Sequence, residues 1–258
     1  MAPLTGRAPK RRATFSFMEV LVIVAIVLVL AALAVPLYQA LQLSTAKGTA
    51  LANLRAVTQG VADYAKEHDG ALPAEDAKGG NSWEAATAPE SAQTWYNAVP
   101  RLLGKKSVGD YASQPRAFYT PENVLFLPAA GYPASDKKLV APLFALAINS
   151  KLQRKDIEGR KTPVKLSEIK NPARTVLFLE QGIHGEPKAM AQQPKYDGSP
   201  KGSARSFVAR YGGQGILTFC DGHAETVSAT DLLTETGKIP FPQTDLIWTR
   251  TAEEDPNN

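Results

Sequence analysis

Phe15-Ser16-Phe17-Met18-Glu19 leads into Val20–Leu37, the eighteen-residue run VLVIVAIVLVLAALAVPL. Thirteen of those residues are Val, Leu or Ile, and the rest are Ala and Pro36. A run of that length without a charge reads as a membrane-spanning helix. Glu19 is the exception at its head, and an acid at the edge of such a segment is a functional-site hypothesis by default. The arithmetic tolerates it. The large aliphatics supply roughly −4 to −8 kcal/mol toward insertion, against about 3 kcal/mol for an acid at mid-bilayer and less near an end. Glu19 therefore enters or lies against the membrane, and something must make its charge acceptable.

Upstream lies a leader, residues 1–14, carrying Arg7, Lys10, Arg11 and Arg12 and no acid. It holds four of the 29 Lys/Arg residues, so the remainder is balanced at 25 Lys/Arg to 25 Asp/Glu. No overall basic excess remains to suggest a nucleic-acid partner. The leader's positive charge fits a cytoplasmic N-terminus, with everything after the span translocated. One cysteine, Cys220, excludes an intramolecular disulfide, so the fold must stand on its core.

Downstream, the apolar run does not end in a turn. Leu51, Leu54, Val57 or Thr58, Val61 and Tyr64 recur at helical spacing, with Lys47, Arg55, Gln59 and Lys66 mostly on the other side. Asp69-Gly70 and Pro73 stop the helix. Pro36 removes one backbone hydrogen bond and predicts a bend or local melting; Gly48 and Gly60 are further soft points. Five segments are expected: the leader 1–14 and a transmembrane half at 15–38, whose shared boundary rests on the resemblance given below, an amphipathic half at 39–69, a globular head at 70–248, and a polar tail at 249–258 that frays. In the head, 71–145 reads as long loops with short helices, one around Ser91–Leu103. Val124–Leu127, Leu143–Ile148 and Thr175–Glu180 read as strands, and Ser150–Lys170 as an exposed basic excursion. Asp221-Gly222 sits between Ile216–Cys220 and His223–Val227, a hairpin signal that predicts a two-residue type I′ turn with Cys220 opposite His223 and Phe219 opposite Ala224.

At these residues the chain resembles the type IV pilin and type II secretion pseudopilin superfamily. The basic leader, the aromatic Phe15, Glu19 as the fifth residue from it and Pro36 twenty-one residues after it carry the likeness. The resemblance implies cleavage between Thr14 and Phe15 by a prepilin peptidase and N-methylation of Phe15. Thr14 departs from the Gly, Ala or Ser usual before the cut. A group of prepilin-like proteins ends in His, nine residues, then Asp-Gly. Here nine residues, Gly212–Cys220, precede Asp221-Gly222, and Tyr211 stands at the His position. Asn171–Thr175 and the stretch from Asn53-Leu54-Arg55 to Gly70–Pro73 resemble that group too. The fold implied is α+β: a long N-terminal helix and a head with a mainly antiparallel sheet. The function implied is a structural, non-enzymatic subunit whose partners are other copies of itself and related pilins, the inner-membrane assembly platform and the lipid bilayer. In such a fibre Glu19 would neutralise the freed amine of a neighbouring Phe15 and so fix register. The location implied is the inner membrane, single-pass with the head outside the cytoplasm, then a periplasmic or extracellular filament.

Other readings stay open. Ala32-Leu33-Ala34 resembles a secretory cleavage site, although eighteen apolar residues exceed the usual seven to fifteen of a signal peptide. A single-pass protein that never polymerises and uses its head for binding fits the same composition. Asp221-Gly222 reads first as a turn. A calcium site there would need about six to eight oxygens, and no Asp/Asn-rich loop surrounds it, so no metal or other cofactor is expected. His184, His223, Cys220 and Asp221 show no C-x-x-C or H-E-x-x-H spacing, and His68 is expected at the helix dipole. Neither G-x-S-x-G nor a P-loop occurs.

Overall fold

The structure is a computed structural model and describes residues 16–77, 80–155, 161–162 and 164–258. Residues up to Leu43 and residues Ser44–Asn258 are separate compact units. Helix α1 (Phe17–Glu67) begins in the first and ends in the second.

In the first unit every described residue is exposed, including the large aliphatics from Val20 to Leu43. By length and composition α1 could cross a membrane. It runs unbroken through Pro36, so the local melting expected there does not occur.

In the second unit α1 buries Ala50, Leu54, Val57, Thr58, Gly60, Val61, Tyr64 and Ala65. This is the periodic face read from the sequence, and each large apolar member contributes about 1.5–3 kcal/mol on burial. Gly60 proves to be a contact point, not a soft one: a Cβ there would lie 2.6 Å from Val99 Cγ1. The helix stops where Asp69 (φ 53°) and Gly70 (φ 80°) turn left-handed, and the Gly70 N–H donates to the Ala65 carbonyl at 2.7 Å. His68 Nδ1 lies 2.8 Å from the Tyr64 carbonyl, satisfying one of the last open acceptors of the helix.

Residues 71–145 contain helices α2 (Trp83–Thr87) and α3 (Trp95–Leu102) among short 3-10 turns. Ser82 caps α2 by accepting from the Ala85 N–H at 3.0 Å. Trp95 and Phe118 join Phe144 and Phe178 in an aromatic core, and the Trp95 indole donates to the Pro200 carbonyl. Val124–Leu127 is a turn, not the expected strand. The buried Asn123 side chain donates to the Phe118 carbonyl and accepts from the Leu125 N–H, bending the chain locally despite its apolar content.

The head sheet contains β1 (Leu146–Asn149), β4 (Val176–Glu180), β5 (Lys201–Gly202), β6 (Gln214–Phe219) and β7 (Ala224–Ser228) in the order β5-β1-β4-β6-β7. Only the β1–β5 pairing is parallel, so the sheet is mixed and the described architecture is α+β. A separate pair, β2 (Arg154–Lys155) and β3 (Lys161–Thr162), falls in the stretch expected to be an exposed excursion. That stretch is anchored by the buried Leu152, Val164 and Ile169. One sheet face packs against the α1 core through Phe178 and Ile216; the other packs Val176, Leu179, Leu217 and Phe219 against Leu232, Ile239 and Trp248. A register shift between Val176 and Phe178 lets Val176 and Leu179 share a face three residues apart.

The β6–β7 turn differs from expectation. Thr218, not Phe219, faces Ala224, and the Phe219 N–H donates to the His223 carbonyl. The loop is therefore three residues, Cys220-Asp221-Gly222. Only Gly222 has positive φ (100°), and its N–H closes the turn onto the Phe219 carbonyl at 3.0 Å. This is a type I turn followed by a left-handed glycine. The physical reason lies just before β4: the Cys220 N–H donates to the Thr175 carbonyl, which draws Cys220 out of the β7 ladder.

The C-terminal stretch expected to fray is tied down. Gln243 Nε2 donates to the Glu254 carbonyl, Arg250 pairs with Glu254 at 2.6 Å, and Asn257 exchanges two bonds with the Ile239 backbone. Thr249 and Pro256 are buried.

Candidate functional site

Thr14 and Phe15, the expected processing positions, lie outside the described residues. Glu19 lies within them, at the first turn of α1. Its Oε2 accepts from the Ser16 backbone N–H at 2.7 Å, and the Ser16 Oγ accepts from the Glu19 N–H at 3.2 Å. Ser16-x-x-Glu19 is thus a reciprocal capping box that satisfies two N–H groups at the helix start. The anionic side chain also stands at the positive end of the helix dipole. The sequence carried this signal openly, because Ser three residues before Glu and ahead of an apolar run is the capping-box pattern. A carboxylate has about four lone-pair sites. Among the described residues Oε2 serves Ser16, and Oε1 has capacity to accept from a further donor.

Pro36 lies seventeen residues on, among exposed Val35 and Leu37. Asp221 and Gly222 belong to the other unit. At the turn, Asp221 Oδ1 accepts from the His223 N–H at 3.1 Å and lies 2.5 Å from His223 Nδ1. The His223 ring stacks on Phe219 with centroids 4.2 Å apart. Burial, with Asp221 adding to it, pushes the Cys220 thiol far up, so it stays protonated and is a poor nucleophile. His184 lines a different groove, beside Lys138 and Val140. Among the described residues, no group of three or more His, Cys, Asp and Glu side chains is placed to hold a metal ion.

Tyr211, at the position where the resemblance expects His, is buried and donates its hydroxyl to Glu180 Oε1 at 3.2 Å. Glu180 is wholly buried; its Oε2 accepts from the Ile216 N–H at 2.8 Å. Arg210 reaches Glu180 at 3.3 Å and holds Glu186 through two guanidinium bonds, at 2.9 and 2.6 Å. It also donates to the carbonyls of Ala145 and Gln181. Burial pushes the Glu180 carboxyl above the ordinary range, and Arg210 pulls against that shift. Burial alone would lower Arg210, but Glu180 and Glu186 outweigh it and keep the guanidinium charged. Every member is hydrogen-bonded, as buried charge requires. The cluster locks β4 to the chain around Arg210 and Tyr211. Sequence reading missed it, because nothing in the spacing of Glu180, Glu186 and Arg210 marks a pairing.

No family model, curated protein or solved structure matches the chain.

Proposed function

We propose that this chain is a prepilin-type structural subunit, anchored by the apolar part of α1 and assembled through it into a pilus or secretion pseudopilus. The observation that carries the reading is the head of α1: a lone acid, capped by Ser16, in front of an apolar stretch with no protein cover. The basic leader before Phe15 and Pro36 within the span support it. In this reading a prepilin peptidase cuts after Thr14, and Phe15 becomes the new, N-methylated terminus. The amine of a neighbouring Phe15 then meets Glu19. An amine and a carboxylate in low dielectric each cost several kcal/mol alone, and pairing offsets much of that. Only a correctly staggered neighbour supplies the pair. Lateral contact between apolar helices covers the side chains from Val20 to Leu43. The inner-membrane assembly platform and related subunits are the partners.

N-terminal sequencing of the mature protein tests the proposal. Phe15 as first residue supports it. Met1 or Val35 overturns it, the latter by making the span a secretory signal.

A further inference from the structure

We propose that the groove along the open edge of β7 takes up an extended, basic segment of another polypeptide as a sixth strand of the head sheet. This inference concerns the head alone and does not depend on assembly through α1.

Among the described residues β7 is the last strand of its sheet and pairs only with β6. Phe219 donates to the His223 carbonyl, and Glu225 and Val227 stand opposite Leu217 and Gly215. By antiparallel alternation, the N–H and C=O groups of His223, Glu225 and Val227 serve β6. Those of Ala224, Thr226 and Ser228 point away from the sheet. Among the described residues no backbone hydrogen bond outside the regular elements reaches the N–H and C=O groups of Ala224 and Thr226 or the Ser228 N–H, while the Ser228 carbonyl opens the 3-10 turn Ala229–Asp231. A free edge of this kind is a template for another strand, and proteins that avoid such pairing place Lys, Pro or a bulge there. β7 (Ala-Glu-Thr-Val-Ser) has none of the three.

The edge does not face open solvent alone. It forms one wall of a groove of about 570 Å³, with the segment around Ile239–Trp248 as the other wall. Leu232, Ile239 and Trp248 supply buried apolar surface. Glu225, Asp231 and Asp245 are exposed at it, and among the described residues no Lys or Arg lines it. Among the described residues neither Asp231 nor Asp245 is paired with a cation.

These features select the occupant. Backbone groups in a row call for an extended chain, and affinity in such pairing comes from main-chain bonds. Glu225 already has His223 Nε2 at 3.4 Å, but Asp231 and Asp245 have no cationic partner among the described residues; these two carboxylates call for Lys or Arg on that chain, and the apolar floor calls for aliphatic side chains between them. Two copies of β7 meeting edge to edge would bring like charges together, which disfavours this chain as its own partner.

The test uses the full-length protein in detergent micelles and a capped (Lys-Val)4 peptide as probe. Backbone hydrogen exchange is read residue by residue. The expected result is saturable protection of the Ala224, Thr226 and Ser228 amides by at least about tenfold. A (Glu-Val)4 peptide and a fully N-methylated (Lys-Val)4 peptide should give none. The double substitution D231N/D245N, on exposed side chains, should weaken binding by about tenfold. Equal binding of the N-methylated peptide would reduce the effect to charge and overturn strand addition. Protection elsewhere, or protection of β7 without peptide from a second copy, would overturn it as well.

Discussion

Ser16 and Glu19 hold each other across the first turn of α1. The Ser16 N–H donates to the Glu19 carboxylate and the Glu19 N–H to the Ser16 hydroxyl. Glu19 therefore has two roles that substitution can separate. Glu19→Gln keeps an acceptor for the capping box and removes the charge. Ser16→Ala keeps the charge and removes one capping bond, at about 1 kcal/mol. If pairing with a neighbour's amine is the function, Glu19→Gln enters the membrane normally but drops out of sheared filament fractions by more than about tenfold, while Ser16→Ala remains in them. Immunoblots of membrane and shear fractions read both. The reverse order would assign Glu19 to capping alone.

Glu180 ties the stability of the head to pH. Its folded carboxyl titrates above its unfolded value of 4.5 because it is buried. The folded state therefore holds the proton more tightly, and stability falls as pH rises from about 4.5 through the folded pKa. Asp110, held below its usual value by Ser107, works in the opposite sense at lower pH. Comparing the Tm of the full chain and of Glu180→Gln across pH 4 to 8 isolates the contribution. The advantage of the native residue should be largest at the acid end and shrink upward. Tyr211→Phe should cost about 1–3 kcal/mol, the value of a buried bond to a carboxylate. A flat difference between the curves would remove Glu180 from the account.

Gly222 closes the β6–β7 turn at φ 100°, and nothing lies within 4 Å of where a Cβ would stand. The cost of Gly222→Ala is then backbone conformation alone, about 1–2 kcal/mol. Asp221→Asn keeps a side-chain oxygen for the His223 N–H and should change stability by less than about 0.5 kcal/mol. Denaturant midpoints at constant slope provide the check, and a large loss with Asp221→Asn alone would mean that the charge of the carboxylate, beside His223 Nδ1, matters to the turn.

What the sequence disclosed follows from the range of the forces involved. α1 was legible from Leu54, Val57, Val61 and Tyr64, because helical periodicity is local and repeats. The β4 strand was legible from a compact β-branched and apolar run. The hairpin was located correctly but misregistered, because one bond from Cys220 to Thr175, 45 residues away in the chain, decides which residues join the loop. Val124–Leu127 had strand composition, yet the Asn123 side chain competes successfully for the backbone. The Glu180–Arg210–Glu186 cluster had no local signature at all. Its members lie 24 and 30 residues from Arg210 and meet only after the sheet has formed. At Glu19 the charge drew notice while the adjacent capping pattern did not.

Gly48 and Gly60 carry opposite expectations although both sit inside α1. Glycine in a helix interior is about 1 kcal/mol worse than alanine, so replacement gains that amount where space allows. At Gly48 nothing lies within 4 Å of an added Cβ, and Gly48→Ala should raise Tm by about 2–4 °C for a head of this size. At Gly60 the Cβ would stand 2.6 Å from Val99 Cγ1 and 3.4 Å from Leu103 Cγ. Val99 is fully buried in α3, and a β-branched side chain in a helix is held to one χ1 rotamer, so it cannot swing aside. Overpacking of about 1–3 kcal/mol then meets or exceeds the propensity gain. Gly60→Ala should leave Tm unchanged or lower it by several degrees, and the double variant should fall between the two because the sites are more than three turns apart. Thermal scans of the full chain in one detergent give all three values. A Gly60→Ala protein as stable as Gly48→Ala would mean that α1 and α3 stand farther apart than the contact with Val99 requires.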